Sequence, residues 1–135
     1  MRVEIAKFFK PMKVKSRLPM WDYEDIRLYL QVAEAFAQTT HQSLYIIDYY
    51  KQGFQYVSDN PLFLCGETAR DVRKSGYEFY ARHVPPGELA MLLEINEAGF
   101  GFYYNLPVYD RLNYTISYDF HLIQPDKRLI LVNHK

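Results

Sequence analysis

The sequence predicts an α+β fold in which an antiparallel sheet is covered on one face by helices and preceded by a flanking helix. Residues 114–123 alternate apolar and polar side chains almost perfectly, which is typical of a half-buried strand. Residues 86–104 carry apolar side chains on nearly every side, which is typical of a buried helix. The segments run in the order helix, two strands, short helices, long helix, two strands. An antiparallel sheet with helices inserted mid-chain accommodates that order.

The first predicted element is a helix over residues 22–38, within a flanking segment 21–41. Asp22 is placed to cap its N-terminus, and Thr39 and Thr40 end it. Apolar residues recur at helical spacing and predict one apolar stripe that packs on the domain or on a second copy of the chain. The stripe consists of Ile26, Tyr29, Leu30, Ala33, Phe36 and Ala37.

A β-hairpin is predicted next, from residues 43–50 and 54–57. Residues 51–53 connect the strands, and Gly53 can take a positive φ there. Residues 58–60 offer capping side chains before Pro61, which is the usual order at a helix start.

Short helices separated by glycines are predicted for residues 61–83. The first ends at Gly66, and the second is capped by Thr68 and ends before Gly76. The long helix 86–104 follows Pro85, and its apolar residues all round predict burial against the sheet. Gly99 predicts a close approach or a break near the end of this helix.

The last predicted elements are a loop over residues 105–112 and a second hairpin. Residues 114–122 and 128–132 are its strands, joined by a turn at residues 125–127. Four strands are therefore evident.

Charge is balanced over the whole chain, with 16 basic and 16 acidic residues. The net charge therefore gives no indication of a nucleic-acid partner. Residues 1–17 hold six basic side chains and one acidic side chain, so residues 1–20 form a basic N-terminal arm. A solvated leader is the plainer interpretation, and contact with phosphates or an acidic partner is the alternative. A single cysteine excludes an internal disulfide, and no apolar run approaches the roughly 20 residues of a membrane span. We expect a cytoplasmic protein without membrane contact.

Four segments resemble the PAS domain. Residues 45–48 (YIID) and 54–60 (FQYVSDN) resemble its opening hairpin and the exit into the first short helix. Residues 76–86 (GYEFYARHVPP) resemble the segment that leads to its long connecting helix, and residues 118–132 (YDFHLIQPDKRLILV) resemble its last hairpin. The resemblance covers residues 42–135 and is closest to the PAS-like sensor region at the N-terminus of some LuxR-type helix-turn-helix transcriptional regulators.

The resemblance implies a five-stranded antiparallel sheet whose concave face, under the helices, binds a small ligand and passes a signal onward. The fifth strand is not evident in the sequence. It is expected to be missing through truncation at the C-terminal end, or to be supplied by residues 3–9 or by a second copy of the chain. A helix-turn-helix segment is also expected beyond Lys135, in a longer protein.

No pattern in the sequence supports catalysis, and we expect neither an enzyme nor a bound metal or cofactor. The histidines lack metal-ligand spacing, and His83 is expected to have a capping or surface role. Cys65 is expected to be an inert thiol in the core, and Glu94 and Glu97 are expected to face solvent.

Nine residues would converge if the long helix lies over the sheet, and apolar walls with hydroxyls and one amide suit a ligand cavity. An ordinary core is the alternative interpretation. Asn96 is the most informative member, because a buried amide needs a hydrogen-bond partner. The nine residues are Tyr45, Ile47, Tyr56, Leu92, Asn96, Phe100, Tyr114, Ile116 and Tyr118.

These patterns favour a sensory or regulatory input domain of a LuxR-type regulator. It would bind a small ligand or partner and signal to a DNA-binding domain that the chain lacks. The alternative is a ligand-free dimerisation or interaction module. In both cases a homodimer through helix 22–38 is expected, and DNA would be contacted only through the absent domain.

Overall fold

The computed structural model describes residues 3–12 and 20–135, without the side chains of residues 20–22. The fold is α+β, as predicted. Two 3-10 helices, Ile5–Phe9 and Val108–Asn113, accompany the regular elements. In chain order these elements are α1 (Met20–Thr40), β1 (Tyr45–Asp48), β2 (Gly53–Val57), α2 (Pro61–Leu64), α3 (Ala69–Ser75), α4 (Glu78–His83), α5 (Pro86–Asn105), β3 (Tyr118–Ile123) and β4 (Leu129–His134).

The chain divides into two compact units. The terminal unit comprises Met1–Lys13 and Glu78–Lys135, and the middle unit comprises Val14–Tyr77. Each unit contains one antiparallel two-stranded sheet, β1–β2 in the middle unit and β3–β4 in the terminal unit. Both predicted hairpins are therefore confirmed, while the sheet of four or more strands that would join them stays a prediction.

The turn of the β1–β2 hairpin is closed by Asp48, whose Oδ1 accepts hydrogen bonds from the backbone N–H groups of Tyr50 (2.9 Å) and Lys51 (3.1 Å). Gly53 pairs with Asp48 in the ladder, so the left-handed residue falls inside the loop, at Gln52 with φ 56°. Gly53 can take a positive φ, but it does not do so here, because Gln52 is the left-handed residue of the turn. β1 is also shorter than the predicted strand 43–50.

Local signals fixed the short helices of the middle unit. Asn60 Oδ1 accepts from the backbone N–H of Leu62 at 3.0 Å and caps α2, and Thr68 Oγ1 caps α3. Val72 of α3 is fully buried, and α3 packs on β2. The predicted caps and the glycine after α3, Gly76 with φ 60°, are confirmed.

In the terminal unit, α5 runs without a break through its glycines to Asn105. A Cβ at Gly99 would lie 3.1 Å from Ile116 Cδ1, so the predicted close approach is confirmed. Only Leu89 and Leu92 of this helix are buried, and Phe102 is among several exposed apolar residues on its outer side. Helix α5 contacts β3, as burial against a sheet predicts, while its outer side stays exposed although it is apolar.

Within residues 3–12, the N-terminal segment packs on α5 and does not form a strand. Residues 3–9, one predicted source of the fifth strand, include the 3-10 helix Ile5–Phe9, whose Phe8 and Phe9 are buried. Asn96 Nδ2 in α5 donates a hydrogen bond to the carbonyl of Phe8 at 2.8 Å. Four of the six basic residues in 1–17, among them Lys13, lie outside the described residues.

The strand predicted for residues 114–122 begins four residues later, at Tyr118. Tyr118 pairs with His134 in the ladder, so residues 114–117 lie beyond the end of β4. Alternation of apolar and polar residues continues through this segment without a strand opposite it in the described part of the chain. The 3-10 helix Val108–Asn113 occupies most of the predicted loop 105–112.

Candidate functional site

Helix α1 has two apolar faces and not the single predicted stripe. Its inner face carries Ala37, which is buried, with half-buried Ile26, Leu30 and Ala33. Its outer face carries four large apolar side chains that are between 50% and 69% exposed. The four are Leu28, Tyr29, Val32 and Phe36, so Tyr29 and Phe36 point away from the stripe predicted to hold them.

The inner face of α1 is fixed to the β1–β2 hairpin by polar contacts. The Tyr23 hydroxyl donates to Asp48 Oδ2 at 2.7 Å, and Lys51 Nζ lies 4.0 Å from the centre of the Tyr23 ring. Burial alone would raise the pKa of Asp48, but hydrogen bonds from Tyr23 and from two backbone N–H groups hold it below its ordinary value. The direction of the outer face is thereby set within the middle unit.

A groove of about 760 Å³ lies in the middle unit beside the C-terminal half of α1. Its other walls are the end of β2 with the segment that follows it, and α3. Its lining consists of Glu34, Ala37, Gln38, His41, Gln42, Tyr56, Val57, Ser58, Asp59, Asn60, Pro61, Thr68, Ala69, Arg70 and Arg73.

Charges of both signs line this groove. Arg70 and Arg73 are one turn apart on α3, and both side chains are exposed. Burial raises the pKa of the Tyr56 phenol, and the negative charges of Glu34 and Asp59 raise it further. Tyr56 is therefore a protonated hydrogen-bond donor at neutral pH, in a groove that two carboxylates also line.

Three uncharged polar side chains of the groove, Ser58, Asn60 and Thr68, are engaged within the protein. Ser58 Oγ accepts from the backbone of Leu44 at 2.8 Å, and Asn60 and Thr68 cap α2 and α3. By contrast, neither Arg70 nor Arg73 makes an ion pair or a hydrogen bond within the described residues. Both arginine side chains can therefore take part in recognition of a ligand in the groove.

Three of the nine predicted cavity residues lie in the middle unit. Tyr45 is half-buried, and its ring stacks on that of Phe63 with a centroid distance of 5.4 Å. Ile47 is half-buried in β1, and Tyr56 lines the groove. Tyr45 thus takes part in core packing, and Tyr56 belongs to a candidate site.

The other six predicted cavity residues lie in the terminal unit. Leu92 is buried and Phe100 half-buried in α5, and Asn96 has the partner that its position required. Three more lie along the segment that ends in β3. Of these, Tyr114 and Ile116 are exposed and Tyr118 is half-buried.

A second polar cluster, which sequence reasoning missed, joins α5 to β3 in the terminal unit. Glu88 Oε2 accepts from the backbone N–H of His121 at 2.6 Å, and Glu88 Oε1 lies 2.6 Å from His121 Nδ1. Burial alone would raise the pKa of Glu88, but the hydrogen bonds and the charge of His121 hold it below its ordinary value of 4.5. The cluster ties the first turn of α5 to the sheet.

Substitution of Glu88 by glutamine is expected to remove part of the acid sensitivity of the fold. Because the folded-state pKa of Glu88 is lowered, its ionised form stabilises the protein above pH 4.5, and this contribution disappears as the pH falls through the lowered value. Urea unfolding at about pH 6 and about pH 3 should therefore show a smaller loss of stability for Glu88→Gln than for the wild type. Glu94→Gln, at an exposed position of α5, is the control and should match the wild type. Equal pH dependence for Glu88→Gln and the wild type would contradict this role.

The other residues considered in the sequence are Cys65, Glu94, Glu97 and His83. Cys65 is buried, Glu94 and Glu97 are exposed, and the His83 ring lies 4.8 Å from that of Phe79. Within residues 3–12 and 20–135, no three His, Cys, Asp or Glu side chains are grouped so that they could hold a metal ion. None of the helices in this part of the chain combines the length and apolar content that a membrane span needs.

No protein-family model matches the chain, and no curated protein or solved structure is significantly similar to it. The resemblance to PAS domains therefore rests on the quoted segments and on the order of the elements. The candidate sites are the outer face of α1 and the groove of the middle unit.

Proposed function

We propose that this chain is a cytoplasmic regulatory input module with a PAS-like fold, of the type found at the N-terminus of LuxR-type transcriptional regulators. It acts as a homodimer through α1. Its signal passes to a DNA-binding domain. Support comes from the order of elements along the chain, in which a hairpin, three short helices, a long helix and a second hairpin follow the flanking helix.

The observation that carries this proposal is the outer face of α1. Tyr29, Val32 and Phe36 are spaced i, i+3 and i+7, which is the spacing of the seam between paired helices. Leu28 widens the seam on one side. A monomer gains nothing from four large apolar side chains in water, whereas exposed contiguous apolar surface marks an interaction site.

The size of this face suits an interface between two copies. The four side chains expose on the order of 450 Å² in each copy, so pairing them would bury about 900 Å² in total. A specific interface needs about 1,000–1,200 Å², and the side chains that flank the seam on α1 would supply the difference. Two α1 helices packed on each other therefore reach the lower range of stable dimers.

The double substitution Tyr29→Asp with Phe36→Asp is expected to convert the dimer to a monomer. Two carboxylates from each copy would have to be buried in the seam without partners, and this cost exceeds the gain from the remaining apolar contacts. Light scattering coupled to size-exclusion chromatography measures the mass in solution. Because both positions are exposed in the single chain, the helical circular dichroism signal should be unchanged.

Gln31→Asp with Gln38→Asp is the matched control, since it adds the same charge to exposed positions of α1 outside the seam. This control should remain dimeric. A dimer that survives the substitutions at residues 29 and 36 would overturn the assignment of α1. A wild-type chain that is monomeric at about 100 µM would overturn the homodimer itself.

A ligand-free dimerisation module is the second candidate function, and the same outer face supports it. The two candidates differ in one property, because only the input module binds a small molecule. The groove of the middle unit favours the input module, since its charged side chains are not paired with one another among the described residues.

A further inference from the structure

We propose that the groove of the middle unit binds a small zwitterionic molecule of the amino-acid type. Its carboxylate would lie on Arg70 and Arg73, and its ammonium would face Glu34 and Asp59. This inference concerns a surface other than the outer face of α1, and it does not depend on the homodimer.

The cationic wall of the groove is rigid. Arg70 and Arg73 flank Val72, which is fully buried, and α3 is capped by Thr68 and packs on β2. The two guanidinium groups therefore start from fixed backbone positions one turn apart. A planar guanidinium binds a carboxylate with two parallel hydrogen bonds, and two of them on one helix face provide more donors than one carboxylate can use.

The anionic wall is formed by two different segments. Glu34 is in the C-terminal half of α1, and Asp59 follows β2. Both residues line the groove together with Tyr56, and their negative charges raise the pKa of its phenol. Among the described residues neither makes an ion pair, so both can accept an ammonium group.

The space between the two walls suits a small molecule. A groove of about 760 Å³ lies in the range of small-ligand sites, and the opposite charges on its walls are not within ion-pairing distance of each other in the described structure. Ala37 and Val57 are buried apolar residues of its lining. A ligand with an apolar side chain would cover them, while its two charged groups meet the two walls.

The test uses the full chain labelled with ¹⁵N and three matched probes. L-Phenylalanine carries both charges, 3-phenylpropionate lacks the ammonium, and 2-phenylethylamine lacks the carboxylate. We expect saturable shifts of the backbone amide signals of groove residues with phenylalanine. Each of the other two probes should bind at least about tenfold more weakly, since each loses one charged contact of about 1.4 kcal/mol or more.

Two sets of substitutions assign the contacts. Arg70→Gln with Arg73→Gln should weaken phenylalanine binding at least about tenfold, and Arg27→Gln, an exposed arginine of α1 outside the groove, should not. Glu34→Gln with Asp59→Asn should weaken binding of phenylalanine and leave that of 3-phenylpropionate unchanged.

Three results would overturn the inference. The first is an absence of saturable shifts with phenylalanine, and the second is equal affinity for phenylalanine and 3-phenylpropionate, which describes a site for anions alone. The third is binding that persists without Arg70 and Arg73. The Tyr29→Asp, Phe36→Asp chain should bind phenylalanine like the wild type, so failure of the dimer and failure of this site are separate results.

Discussion

Replacement of Phe79 by alanine is expected to lower the free energy of unfolding by about 3–5 kcal/mol. Phe79 lies in α4, is 0% exposed, and is the largest of the fully buried side chains described. Its ring contacts that of His83 at a centroid distance of 4.8 Å and meets that of Tyr80 edge-on. Removal of the ring leaves a cavity that the surrounding helix and sheet fill only in part, so both transfer energy and packing contacts are lost. Urea unfolding followed by circular dichroism measures the change.

Phe102→Ala is the control for this change. Phe102 is in the same unit and is 48% exposed, so its truncation should cost less than about 1 kcal/mol. Similar losses for Phe79→Ala and Phe102→Ala would show that α4 does not form the core described here.

Leu122→Ala is expected to lower the free energy of unfolding by about 2–5 kcal/mol. Leu122 is 0% exposed on the inner face of β3, where Phe120 is its buried neighbour on the same face. This loss is the sum of the transfer free energy of the removed carbon atoms and the cost of the cavity that they leave. The cavity stays largely open, because a strand that is hydrogen-bonded in a ladder can shift only a little to fill it.

Leu131→Ala provides a control of the same residue type in the paired strand. Leu131 lies in β4, pairs with His121 and is 60% exposed, so its loss should be within about 0.5 kcal/mol of zero. The difference between the two variants tests which face of the β3–β4 hairpin is covered. A reversed order would mean that the ladder presents its other face to the core.

Elements with local signals were predictable from the sequence. Asn60 and Thr68 each cap a helix by accepting a hydrogen bond from a backbone N–H group two or three residues further along the chain. Such a cap depends on local sequence alone, and the structure has both. The start of α5 at Pro86 follows from proline geometry. Asn96 was informative for a related reason, because an amide on an apolar stripe must find an acceptor, here the Phe8 carbonyl.

Features that depend on tertiary contacts were predicted less well. Helical spacing identified the apolar residues of α1, but it could not separate Leu30, which is half-buried, from Tyr29, which is 69% exposed. The start of β3 depends on the register with β4, and alternation alone carries no information about where the partner strand ends. A strand was predicted from residue 114 for that reason.

The groove could not be read from the sequence because its charged residues come from three separate segments. The sequence places Tyr56 in a cavity with apolar walls, hydroxyls and one amide, whereas in the structure it lines a groove together with Glu34 and Asp59. Arg70 and Arg73 gave no signal of their own, since two arginines three residues apart are common on exposed helix faces. Only the fold shows that they face this groove.

The position of Cys65 has a practical consequence. This single cysteine follows α2 with φ 51°, its neighbour Gly66 also has a positive φ, and its side chain is buried. A reagent in solution can reach the sulfur only when the turn at this point unwinds. The rate at which the Cys65 thiol is alkylated in the native protein therefore reports how often the middle unit opens locally. No engineered cysteine is needed for this measurement.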